Sequence, residues 1–177
     1  MNPEESIFSE TDAGYMDMAL EQARCAGQAG DIPVGAVLVR RGSSEDEVVA
    51  VGRNTREIEK NVLGHAEINA IGGACRACGA WRLSDCTLYV TLEPCLMCAG
   101  AILSARIGRI VCGTRDPTAG AMGSVWSVHS YPTAVQGISV EYGCREAECR
   151  SLLREFFRAR RAAPTVGLSD QSKGGNG

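Results

Sequence analysis

His65 and Glu67 stand one residue apart, and Cys95 and Cys98 stand two apart in the run Pro94-Cys95-Leu96-Met97-Cys98. Those types at those spacings suit a catalytic zinc ion. One histidine and two cysteines make three ligands. Three protein ligands leave the fourth tetrahedral position to water, whereas structural zinc is closed by four. Thiols at i and i+3 in the first turn of a helix can face one metal, and the positive end of the helix favours their ionised forms. Two thiolates also neutralise the charge of Zn²⁺, so such an ion acidifies its water less than an all-histidine site. A separate base is then needed, and Glu67, two residues from the histidine, supplies a carboxylate.

A second use of the cysteines competes with this one. Cys75 and Cys78 form another C-x-x-C, and 16 residues separate Cys78 from Cys95. That spacing fits a four-cysteine structural zinc site, but it leaves His65 and Glu67 without a purpose. The pattern H-x-E followed by P-C-x-x-C is the signature of zinc nucleobase deaminases, so the His65, Cys95, Cys98 set with Glu67 as proton carrier is preferred. Cys25, Cys86, Cys112, Cys144 and Cys149 read as buried small hydrophobes.

The chain that must position these groups has 177 residues, 45% hydrophobic and 22% charged, which suits a single globular domain with its own core. Its longest apolar run, residues 96–103, falls far short of the roughly 18 residues of a membrane helix. The start, MNPEESIFSETD, has neither the basic nor the apolar region of a secretory signal. Nine cysteines in such a chain suggest a reducing, cytoplasmic setting with metal binding or catalysis in preference to disulfides.

Residues 1–11 read as a flexible arm, residues 12–161 as one zinc deaminase domain, and residues 162–177 as a disordered tail. Asp12 is a candidate N-cap for a helix to about residue 28, with Met16, Ala19, Leu20, Ala23 and Gly27 on its apolar face. Residues 34–40 and 48–52 read as strands joined by an acidic loop. A helix from about residue 64 to 78 carries His65 and Glu67. Residues 87–92 form a strand, and Pro94 opens a helix ending near Ala105. Residues 109–113 and 138–142 complete five strands, with a Gly, Pro, Ser and Thr-rich stretch at 114–136 between them. Residues 145–161 form a last helix with Cys149, Leu152, Leu153, Phe156 and Phe157 as its apolar stripe. This order predicts a three-layer α/β/α sandwich with a mixed five-stranded sheet.

The blocks GDIPVGAVLV (30–39), GRNTREI (52–58), LGHAEINAI (63–71), LYVTLEPCLMCAGAI (88–102), RIVCGTRDPTAGAMGS (109–124) and LLREFFRARR (152–161) resemble the bacterial tRNA-specific adenosine deaminases of the cytidine-deaminase-like superfamily. They occur in that order and span nearly everything from residue 13 to residue 161. The resemblance implies a cytidine-deaminase-like fold and a homodimer that converts adenosine to inosine at the wobble position (34) of a tRNA. It carries over His65, Cys95 and Cys98 as the ligands of one zinc per chain and Glu67 as the proton shuttle. It matches Asn54 to a substrate-holding asparagine, with a strand-capping turn residue as the alternative. It matches Asp116, in the segment of Arg115 and Pro117, to the part facing the anticodon loop, with a simple turn as the alternative. It matches Phe156 and Phe157 to an aromatic pair near the flanking bases, with core packing as the alternative.

Charge adds an independent sign. The net charge is −3, yet residues 150–161 hold five arginines and one acid. Arg150, Arg154, Arg158 and Arg161 are 4, 4 and 3 residues apart, a stripe on one helix. Charge beside aromatics suits an unstacked RNA strand such as a tRNA anticodon stem-loop, and Arg154 and Arg158 flank the two phenylalanines. No membrane partner is expected. A deaminase of a free base such as guanine or cytosine would share the zinc motif but have no use for this stripe. A structural zinc module would have no use for Glu67, and a noncatalytic partner subunit would tend to lose it.

Overall fold

The computed structural model describes residues 7–130 and 137–162. The arm expected at 1–11 lies outside them up to residue 6, and the tail from residue 163 onward lies outside them as well.

The elements run α1 (Glu10–Gln28), β1 (Gly35–Arg40), β2 (Glu47–Arg53), α2 (Arg56–Glu59), α3 (Ala66–Cys78), β3 (Cys86–Leu92), α4 (Leu96–Ala105), β4 (Arg109–Thr114), a 3₁₀ turn (Val128–Ser130), β5 (Ser139–Tyr142) and α5 (Glu146–Ala162). They form one five-stranded sheet in the order β2-β1-β3-β4-β5. β1 is antiparallel to β2 and β3, while β3, β4 and β5 are parallel. The sheet is therefore mixed, as expected.

β1, β3 and β4 are buried along almost their whole length, because helices cover both faces. Ala36, Leu38, Leu88, Val90, Ile110 and Cys112 pack with Ala66, Ala70 and Ala74 of α3 and Ala99 and Ile102 of α4. The alternate residues Val37, Val39, Tyr89 and Val111 pack with Met16, Ala19 and Leu20 of α1 and Cys149 of α5. This period-two division makes the three layers. No described helix is long and apolar enough to cross a membrane.

Four local expectations change. The N-cap of α1 is Ser9, and Asp12 is its N3 residue. Ser9 and Asp12 exchange bonds in a capping box, so the helix begins inside the segment read as an arm. Asp12 can serve the cap from N3 because its other oxygen turns inward to the Tyr89 hydroxyl at 2.7 Å and Arg109 at 2.6 Å. Pro94 precedes the cap of α4, which is Cys95. Ala26 takes the buried place on α1 expected of Gly27, and Cys25 is only half-buried there. Finally, α2 forms in a segment read without a helix; the stretch after β4, residues 114–130, is tied down chiefly by Glu93, as described below.

Candidate active site

Every strand end that matters meets at one edge of the sheet. The parallel strands β3 and β4 finish there with Leu92 and Thr114 in register. Antiparallel β1 begins there, with Gly35 opposite Arg53 at the end of β2. Ligands of α/β proteins bind outside the carboxyl ends of parallel strands, and α3 and α4 both start at this edge. His65 is the N-cap residue of α3 and Cys95 that of α4. Glu67 lies in the first turn of α3 and Cys98 in that of α4.

Neither His65 nor Cys95 spends its side chain on capping. For α3 the capping falls to Asn54, whose Oδ1 accepts from the Ala66 N–H at 2.9 Å. The imidazole is thereby left for other work. Close packing fixes where α3 begins: a Cβ on Gly52 would sit 2.1 Å from the Ala66 carbonyl oxygen and 2.6 Å from the Ala70 nitrogen. Only glycine lets β2 approach the helix this closely.

His65 Nδ1 lies 3.6 Å from Cys95 Sγ and 3.5 Å from Cys98 Sγ. All three candidate ligand atoms fall within 4.8 Å of one another. A tetrahedral zinc with ordinary Zn–S and Zn–N bonds separates its nitrogen and sulfur ligands by about 3.5–3.6 Å, so these residues fit the ion. Cys75 and Cys78 are in the last turn of α3, at the opposite end from His65, and they are not part of this cluster. The four-cysteine alternative thereby falls away: one helix length separates its two halves.

The two sulfurs differ in how firmly each holds its proton. Hydrogen bonding from Cys98, with His65 adding to it, pulls the Cys95 thiol down to about 4. The same bond and burial push Cys98 up and keep its proton, and donation to Cys95 raises His65. A cation between the two sulfurs takes both as thiolates. Glu67 is 4% exposed, and burial pushes its carboxyl up to about 7. A carboxyl poised near neutrality both accepts and returns a proton.

A cavity of about 470 Å³ opens over these groups. Asn54, His65, Glu67, Cys95 and Asp116 line it, together with the apolar Ile32, Val34, Leu92, Leu153 and Phe157. Polar groups converging in a partly apolar cleft suit a flat heterocycle. Asn54 is 6% exposed, so it both caps α3 and walls the cavity. Asp116 lines the mouth, but its Oδ1 accepts from Thr118 N, Thr118 Oγ1 and Ala119 N. Its carboxylate therefore builds the turn. Phe157 reaches the cavity and Phe156 does not; the two rings meet edge to face at 5.5 Å. Neither is a core residue.

A second hollow adjoins the first, lined by Thr114, Glu146, Arg150, Arg154 and Arg161. Arg115, Pro117, Leu153 and Phe157 line both. Arg154 thus faces the groove. Arg158 is exposed but lines neither hollow, because the helical period places Phe157 between Arg154 and Arg161.

Glu93 was not singled out in the sequence. It is 2% exposed, and its carboxylate accepts from the Asp116, Met122 and Ser124 amides and the Ser124 hydroxyl. A Cβ on Gly120 would come within 2.5 Å of both the Glu93 carboxyl carbon and the Asp116 carbonyl. One buried carboxylate thus folds the loop after β4 around itself. The only available signal was an acid directly before Pro94, and that is too common to weigh.

Residues 9–114 match the model of the cytidine and deoxycytidylate deaminase zinc-binding region. The chain is similar to the tRNA-specific adenosine deaminase of Bacillus subtilis (strain 168), 42% identical over 81% of this chain and 87% of the relative. It is also similar to that of Agrobacterium fabrum, 45% identical over 83% of this chain and 94% of the relative. Among solved structures it resembles one from a study of A-to-I editing by tRNA:A34 deaminases, with 43% identity, a TM-score of 0.74, and coverage of 79% of this chain and 99% of that one. It also resembles a guanine deaminase from Nitrosomonas europaea, with 27% identity and a TM-score of 0.65 over 88% of both chains.

Proposed function

The chain belongs to the cytidine and deoxycytidylate deaminase zinc-binding family, and from that premise we propose that it hydrolyses adenosine to inosine at the wobble position of tRNA, releasing ammonia. The observation that carries the reading is the continuous surface from the His65, Cys95, Cys98 and Glu67 cluster to the arginine-lined groove on α5. A free-base deaminase needs the first part and has no use for the second. The relatives named as tRNA-specific adenosine deaminases, at 42% and 45% identity, support the same substrate.

His65, Cys95 and Cys98 hold one zinc ion per chain, which when bound supplies an activated water and Lewis acidity. Glu67 accepts a proton from the water that adds to C6 of adenine and delivers it to N1. It then helps carry a proton to the departing amine, so one carboxylate serves as base and then acid. Asn54 holds the nucleoside through its amide group, whose oxygen is already committed to Ala66. The Asp116 turn shapes the mouth, and Phe157, with Phe156 against it, offers an aromatic face to a neighbouring base. Arg154 contacts phosphate in the groove, and Arg158 does so from outside it.

We read residues 12–161 as the deaminase domain, acting as a homodimer in the cytoplasm, where tRNA is found. The test is incubation of the zinc-loaded protein with bulk bacterial tRNA, followed by sequencing for A-to-I changes, with adenosine and guanine as parallel substrates. Inosine confined to position 34 is expected. Turnover of free guanine or adenosine equal to that of tRNA would replace this reading with the free-base one.

A further inference from the structure

Arg115 has no part in the chemistry described so far. It is exposed, follows β4 directly, and is the one arginine lining both hollows. Its guanidinium carbon lies 3.8 Å from the centre of the Tyr142 ring. That ring is itself fixed, since the Tyr142 hydroxyl donates to the Met122 carbonyl at 2.6 Å. Arg115 makes no ion pair with any described carboxylate, whereas Arg150 of the same groove is paired with Glu146 at 3.0 Å. Nor does the nearby buried acid need it, because the Glu93 oxygens are already met by three amides and a hydroxyl. A guanidinium stacked by its face keeps its N–H edge for a ligand, and that edge matches phosphate oxygens.

We propose that Arg115 binds a phosphodiester next to the reacting nucleoside, at the point where an RNA strand passes from the arginine groove into the catalytic cavity. A base inserted in the cavity has its backbone at the rim, and the rim toward the groove is where Arg115 stands. The stacked cation thereby favours a nucleotide inside a strand over a free nucleoside. This rests on the RNA reading above and adds a residue that sets its specificity.

The test uses an anticodon stem-loop RNA with adenosine at the target position, and two copies with a neutral methylphosphonate in place of the phosphate on one or the other side of it. Wild type, Arg115→Gln and Arg115→Lys are compared at steady state. Arg115→Gln is expected to raise KM about tenfold, the size of one lost charge-assisted contact, with kcat nearly unchanged. Arg115→Lys recovers part of that loss. One of the two neutral linkages should weaken wild-type binding by a similar factor and cost Arg115→Gln nothing further. Additive losses, a fall in kcat at constant KM, or indifference of the wild type to both neutral linkages would overturn the proposal. The linkage result stands even if Arg115→Gln does not fold. Failure of the wild type to deaminate the unmodified stem-loop overturns the RNA reading and this proposal with it. Normal wild-type turnover with an unaffected Arg115→Gln overturns this proposal alone.

Discussion

At the scale of single residues, the roles proposed for Glu67 and for the zinc ligands His65, Cys95 and Cys98 are separable. Glu67 is buried beside the ligands without being one of the clustered ligand atoms. Glu67→Ala should keep one zinc per chain and the native unfolding profile while losing activity by about 10²–10⁴-fold, the range of a general acid–base group. Near wild-type turnover in that variant would defeat the mechanism. The ligand assignment is checked by metal analysis. His65→Ala should lose the ion, and the Cys75→Ser/Cys78→Ser double variant should retain it, because those thiols sit at the far end of α3. The reverse pattern would restore the four-cysteine site. Asn54 shows how one side chain joins fold and chemistry: by capping α3 it releases His65 from that task.

At the scale of elements, two buried carboxylates hold parts of the chain that lie far apart in sequence. Glu93, directly after β3, gathers the loop after β4. Glu93→Gln puts amide hydrogens where backbone donors converge, and should cost about 1–3 kcal/mol of unfolding free energy. It should also lower activity by displacing the Asp116 turn and with it the cavity mouth. Asp12 joins α1 to β3 and β4 through Tyr89 and Arg109, and Glu141 of β5 takes the other edge of the same guanidinium at 2.8–2.9 Å. Burial alone would raise Asp12, but hydrogen bonds from Arg109, Tyr89 and Ser9 outweigh it and hold the carboxyl far below the usual range. The Arg109 hydrogen bond lowers Glu141 in the same way. A carboxyl lowered by folding stabilises above its unfolded pKa, about 4, and loses that contribution as pH falls. Asp12→Asn should therefore cost about 2–3 kcal/mol at pH 7 and somewhat less at pH 3 in urea unfolding, the remainder being lost only as pH falls on toward the lowered folded value. An equal cost at both values would show that the network does not act through charge.

At the scale of the whole molecule, the proposed function depends on a local field that the average conceals. The net charge is −3, yet Arg150, Arg154 and Arg161 line a groove continuous with the catalytic cavity. Anticodon stem-loop binding should weaken with salt by about 0.7–0.9 log units per log unit of salt for each phosphate contacted. Arg154→Ala/Arg161→Ala should flatten that slope by roughly one to two units. Turnover of free adenosine, where measurable, should not change. Binding indifferent to salt and to this pair would remove the groove from the substrate path. The proposed homodimer is checked by sedimentation at micromolar concentration, where a single monomeric species would exclude it.

The five strands and four long helices in their order, the three layers and the grouping of His65, Cys95 and Cys98 were legible in the sequence, whereas the short α2 was not. Each rests on local chemistry: alternation along β1 and β3, helical spacing on α1, and ligand types at fixed short intervals. The exclusion of Cys75 and Cys78 was also within reach, because a helix of 13 residues carries them away from His65. Other features depended on contacts between residues distant in the chain. That Asp12 is a buried partner of Tyr89 and Arg109, 77 and 97 residues away, leaves no trace in local spacing. Glu93 is indistinguishable from a surface acid until the loop 23–31 residues later folds onto it. Phe157 rather than Arg158 joins the groove because the register of α5 against the sheet decides which face looks inward. Sequence specifies which groups are present and their local period. Only packing of the layers determines which of them share a desolvated space, and that desolvation makes a carboxylate a loop anchor or a proton carrier.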